Sequence, residues 1–171
     1  MLIVVAQIVG FAGVGLFLLS YQLKKRQQIV WVSFLSNVFY VLQYLLLGAF
    51  SGAIMDTLAT VASFFAARKN APHFKKYTKQ LAFLSVLMIA VIGIAVAMIR
   101  KDFIELLPIV GGIFQTLGLW CDNEQLIRKL GLCGAPFWLV YNFISQAYGA
   151  TLGSVLVIIS IIVSLVRYRK K

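Results

Sequence analysis

The sequence is poor in the residues from which reactive centres are built. Its 171 residues include five Asp and Glu, one His and two Cys. No spacing among them matches a metal-ligand set. The lone His73 lies in a basic stretch and reads as a solvated loop residue. There is no Gly-rich phosphate loop, no His pair and no Ser/His pair within the apolar runs. These absences point away from an enzyme, a resident metal and a cofactor. Cys121 and Cys133 fall near the basic ends of their apolar runs, where a reducing compartment argues against a disulfide. Charged residues make up 12% of the chain, against about 25% in soluble domains. That is too little polar surface to coat a soluble globule, and it leaves no room for an added soluble domain.

What the sequence has instead is apolar length. Hydrophobic residues reach 61% and the mean hydropathy is +0.93. Seven apolar segments stand between polar breaks, at 2–22, 29–48, 50–67, 80–99, 103–121, 130–148 and 150–166. A helix crosses a bilayer with about 20 residues, so each segment is predicted to span. Two junctions are tight, Gly48–Gly52 and Tyr148–Gly153. Glycine tolerates the positive φ of an abrupt reversal, and turns are predicted at both. The first run has no basic residue before it, and Lys24, Lys25 and Arg26 follow it. Those flanks are the reverse of a secretory signal, so residues 1–21 read as an uncleaved first span.

Charge orients the spans. Lys and Arg number 16, giving a net charge of +11. They cluster between apolar runs, as bilayer anchors do, rather than as a nucleic-acid face; no nucleic-acid partner is expected. With seven spans, one side receives Lys24–Arg26, Arg68, Lys69, Lys75, Lys76, Lys79, Arg128, Lys129, Arg167 and Arg169–Lys171, which is 14 basic residues. The other side receives Arg100 and Lys101. The positive-inside rule then places the N-terminus outside and the C-terminus in the cytoplasm. The terminal Arg167–Lys171 cluster is most simply part of that signal.

A shift of 101 residues lays 1–70 on 102–171 without a gap. Thirteen positions match, including Tyr40 on Tyr141, Gly48-Ala49 on Gly149-Ala150, Gly52 on Gly153 and Arg68-Lys69 on Arg169-Lys170. The predicted architecture is all-α: seven transmembrane helices as two parallel three-helix repeats, 1–70 and 102–171. A basic loop and linker helix at 71–101 join them. An odd linker helix lets both units insert in the same sense.

Two helices carry polar stripes. Ser33, Asn37, Tyr40 and Tyr44 share one face of the second span, and Trp138, Tyr141, Asn142, Ser145 and Gln146 share a face of the sixth. Polar groups at bilayer depth face a partner helix or a water-filled cavity. Two readings stand: a central pocket for a small polar solute, or hydrogen-bonded glue between helices. Tyr44 and Trp138 also suit an interfacial belt. Asp56 is the acid well inside an apolar segment, roughly 9 Å from its outer end at a rise of 1.5 Å per residue. It reads as a substrate- or proton-binding carboxylate, or as a structural acceptor. The fifth span presents Gly111, Gln115 and Gly118 on one face. Pro136, deep in the sixth, is a candidate hinge. The candidate binding set is Asn37, Tyr40, Tyr44, Asp56, Gln115, Trp138, Tyr141 and Asn142. The apolar first span is expected to supply small residues rather than ligands.

The three-plus-one-plus-three pattern resembles the SWEET and PQ-loop superfamily of small transporters. Within it, residues 10–26 (GFAGVGLFLLSYQLKKR) and 36–53 (SNVFYVLQYLLLGAFSGA) are similar to the YgjV-like bacterial inner-membrane proteins. The resemblance implies a multi-pass inner-membrane protein and a transporter fold working by alternating access. At the Pro-Gln positions of PQ-loop proteins this chain reads Leu35-Ser36 and Pro136-Phe137. Where sugar carriers place Asn it reads Asp56 and Val157. The resemblance implies a solute carrier, with a nicotinamide-riboside-like vitamin-precursor uptake protein as a second reading. A non-transporting membrane binder or structural partner is the rival of a different class.

Overall fold

The computed structural model describes residues 2–47, 50–101, 103–144 and 148–168. The described chain is helical and has no strand. Its elements are α1 (Leu2–Gln22), α2 (Arg26–Leu47), α3 (Phe50–Ala67), α4 (Pro72–Lys75), α5 (Thr78–Arg100), α6 (Leu106–Trp120), α7 (Glu124–Ile144) and α8 (Tyr148–Arg167). A 3-10 turn at Phe103–Glu105 leads into α6. Four stretches are long and apolar enough to cross a membrane: Ile3–Gln22, Arg26–Leu47, Thr78–Arg100 and Phe103–Trp120. Ala53–Ala67 and Thr151–Arg167 are shorter apolar helices.

Two boundaries differ most from the sequence reading. The α7 helix begins at Glu124, ahead of the apolar run, because Arg128 in its second turn is buried rather than solvated. The turn expected at Tyr148–Gly153 lies inside α8. Gly153 packs there instead, since a Cβ at that position would meet the Val14 side chain of α1 at 3.5 Å. Gly48 and Ala49 of the other expected turn, and Ser145 and Gln146, lie outside the described residues. His73 sits in the short helix α4, opened by Pro72 at its start.

Contacts run through six helices and return. The order is α1 on α2, α2 on α3, α3 on α6, α6 on α7, α7 on α8, and α8 back on α1. The α5 helix braces α3 and α6. Size is distributed inside out. The interior is rich in small residues, among them Ala6, Ala62, Ala66, Ala135, Ser36, Ser63 and Ser164. Large apolar side chains point outward, with Phe11 of α1 69% exposed, Phe83 of α5 70% and Ile99 of α5 81%. Small interior residues let helices approach closely, and an apolar exterior suits lipid rather than water. Gly134 shows the approach. A Cβ there would stand 2.7 Å from the Gly111 carbonyl oxygen, so α6 and α7 cross glycine on glycine.

Candidate functional site

One end of the helix ring is closed by buried basic side chains. Arg26, at the start of α2, donates from Nε to the Cys121 carbonyl at 2.7 Å. Its Nη2 reaches the carbonyls of Leu119 at 2.8 Å and Ala66 at 2.9 Å. Arg128, near the start of α7, donates to the carbonyls of Tyr21 at 3.2 Å and Leu23 at 2.6 Å. Its guanidinium lies 4.7 Å from the centre of the Tyr168 ring. Lys69 donates to the Trp120 carbonyl at 2.6 Å and pairs with Asp122 at 2.7 Å. The carbonyls at a helix C-terminus lack helical partners and carry the negative pole, so a cation there both bonds and neutralises them. The hydrogen bond from Lys69 holds the Asp122 carboxyl below the usual carboxylate range, and burial pushes the nearby Cys121 thiol up. In sequence these basic residues read only as orientation signals. Their carbonyl partners lie about 40 to 107 positions away in the chain, beyond the reach of local pattern.

Beyond this seal lies a cavity of about 50 Å³, bounded by α1, α2, α3, α5, α6 and α7. Of the candidate set, Asn37, Asp56, Gln115 and Trp138 line it, joined by Ser33. The two chain halves contribute together: α2 and α3 bring Ser33, Asn37 and Asp56, while α6 and α7 bring Gln115 and Trp138. The side chains of Ser33, Asn37, Asp56 and Gln115 make no hydrogen bond or ion pair to a described residue. The Trp138 indole lies against Gly111, where a Cβ would come within 2.8 Å, and its buried Nε1 lacks a partner among the described residues.

The other candidates sit elsewhere. Tyr40 packs its ring over Gly13 of α1. Tyr44 lies within electrostatic range of Asp56, Tyr40 and Tyr141, so the three tyrosines cluster near the cavity without lining it. Tyr141 stacks edge-on against Trp138 and makes a long 3.4 Å hydrogen bond to Glu105, itself paired with Arg100 at 2.6 Å. Asn142 donates to the Ser154 hydroxyl at 3.1 Å, joining α7 to α8 as helix–helix glue. Pro136 lies on the exposed side of α7, which runs on to Ile144. Sequence reasoning missed Phe17 and Tyr21. Both line the cavity from α1, which was expected to bring only small residues. The hydrophobicity of α1 is nearly uniform around its circumference, so no periodic signal singles out the face that turns inward.

An apolar, inside-out helical assembly of this kind, with polar side chains turned into its interior and basic ones at one end, is an integral membrane protein. The chain belongs to the Imp-YgjV family of bacterial inner membrane proteins, whose family model matches residues 4–171. No curated protein and no solved structure matches it.

Proposed function

We propose that the chain is a small-solute carrier of SWEET-like build, with seven spans arranged as three plus one plus three and its C-terminus in the cytoplasm. The observation that carries this reading is the cavity. Ser33, Asn37, Asp56 and Gln115 reach it from both halves of the chain, and their side chains make no hydrogen bond to a described residue. Polar groups at bilayer depth need partners, and here a solute or its water supplies them. Helix glue would spend those groups on each other, as Asn142 and Ser154 do.

The repeat is supported by correspondence at the 101-residue offset. Shifted by that amount, α1, α2 and α3 fall on the turn-plus-α6, α7 and α8. Ser63 bonds the Thr60 carbonyl at 2.8 Å, and Ser164 bonds the Ile161 carbonyl at the same distance. The contact of α1 with α8 is matched by that of α6 with α3. Orientation is supported by the gathering of Arg26, Lys69 and Arg128 at one end. Alternating access then parts the two halves at the sealed basic end and closes them at the tyrosine end. Pro136, which cannot donate to the Leu132 carbonyl, gives α7 its bending point.

Flux into proteoliposomes tests the reading. Protein-containing vesicles are expected to take up at least one member of a panel of small neutral and charged polar solutes faster than empty vesicles. Ala59→Trp, which fills the cavity, is expected to stop that uptake while the protein stays inserted. Uptake that survives the substitution contradicts the assigned path.

A further inference from the structure

The Asp56 carboxyl differs from those of the other described acids in having no partner among the described residues. Glu105 pairs with Arg100, Asp122 pairs with Lys69, and Glu124 accepts the backbone amide of Arg26 at 3.3 Å. Asp56 faces a cavity whose lining contains no Lys, Arg or His. The buried cations Arg26, Lys69 and Arg128 are engaged by carbonyl oxygens at the sealed end. In a chain of net charge +11, one carboxylate thus has no ion-pair partner among the described residues.

An ionised carboxylate in low-dielectric surroundings requires a counter-charge close by. Several other lining groups suit a positive occupant. Phe17, Tyr21 and Trp138 are aromatic, and ring faces attract cations. Asn37 and Gln115 each offer an amide oxygen that accepts a hydrogen bond. A water needs about 10–15 Å³ of such space, so the 50 Å³ cavity takes a group of a few heavy atoms.

From this juxtaposition we infer that the cavity selects a small monovalent organic cation, bearing an ammonium or guanidinium group, and that Asp56 is its counter-ion. The inference rests on the carrier reading and narrows its solute class. An anion would meet Asp56 with no compensating donor charge, and a neutral solute would leave the carboxylate uncompensated.

Guanidinium and urea supply the test, because they are nearly the same shape and differ in charge. Thermal unfolding of the purified full-length protein is followed with each solute at constant ionic strength, with ethylammonium and acetate as further probes. Guanidinium and ethylammonium are expected to raise Tm saturably, with an affinity at least about tenfold above that of urea, and acetate is expected to have no effect. Asp56→Asn is expected to lose the cation response and Asp56→Glu to retain it. Gln115→Lys, which places a cation inside the cavity, is expected to abolish the response without needing Asp56 changed. Equal effects of guanidinium and urea, no response to either cation, or a response retained in both Asp56→Asn and Gln115→Lys would overturn the assignment. Proteoliposome flux of neutral solutes, blocked by Ala59→Trp, would in that event show the carrier reading standing without the cation.

Discussion

Arg128 donates from Nη2 to the Leu23 carbonyl oxygen at 2.6 Å, tying the start of α7 to the end of α1. The side chain is 1% exposed. Arg26 makes the reciprocal tie, from the start of α2 to the end of α6. Each half of the chain thus caps the first helix of the other. Arg128→Ala removes two charge-assisted bonds and orphans two carbonyls, at a cost of about 3 kcal/mol or more. Thermal unfolding of the purified variant is expected to show a large fall in Tm. Arg128→Lys is expected to recover only part, since a lysine has no guanidinium to stack on Tyr168 or to fork between two carbonyls. A Tm unchanged in Arg128→Ala would mean that the seal contributes nothing to the fold.

Neighbouring glycines of α6 are expected to behave differently. A Cβ at Gly111 meets Trp138 Cδ1 at 2.8 Å and the Gly134 carbonyl oxygen at 3.0 Å, whereas one at Gly112 meets only Ile89 at 3.5 Å. Gly111→Ala should therefore cost about 1–3 kcal/mol by overpacking and move Trp138, visible as altered tryptophan fluorescence. Gly112→Ala should be neutral or slightly stabilising, because alanine favours helix. The reverse ranking would place the α6–α7 crossing elsewhere.

Lys69 and Asp122 set a pH dependence. The folded-state pKa of Asp122 is depressed, chiefly by its hydrogen bond from Lys69. The pair's contribution is therefore fully present above the unfolded carboxyl value of about 3.9 and is lost as pH falls through the lower folded value. Asp122 is exposed while Lys69 is buried, so solvent screens the pair and Asp122→Asn should cost about 1 kcal/mol or less. The stability gap between wild type and variant should narrow as pH falls from 7 to 3. A constant gap across that range would assign the effect to packing.

Helices and faces were legible in the sequence; heights and inter-half contacts were not. Apolar runs placed α1, α3 and α5 closely, because a lipid-facing helix declares itself by composition. Helical spacing put Ser33 and Asn37 on one face, and the structure brings them to a cavity with Asp56, Gln115 and Trp138. Periodicity says nothing of position along the axis, however. Tyr141 shares the face of Trp138 yet reaches Glu105, and Asn142, one residue on, turns to α8. Arg128 was unreadable for another reason: its value comes from carbonyls at the end of α1, which exist only once the two halves meet.

The proposed alternating access requires the cavity to open in turn to both sides of the membrane. Single cysteines at Asn37 and at Gln115, each in a background with Cys121 and Cys133 replaced by Ser, allow a direct measurement. Labelling by a membrane-impermeant thiol reagent is compared in right-side-out and inverted vesicles. Modification from both sides is expected at both positions, as is protection by a cavity-filling Ala59→Trp. Labelling from one side only, or from neither, would contradict alternating access through this cavity.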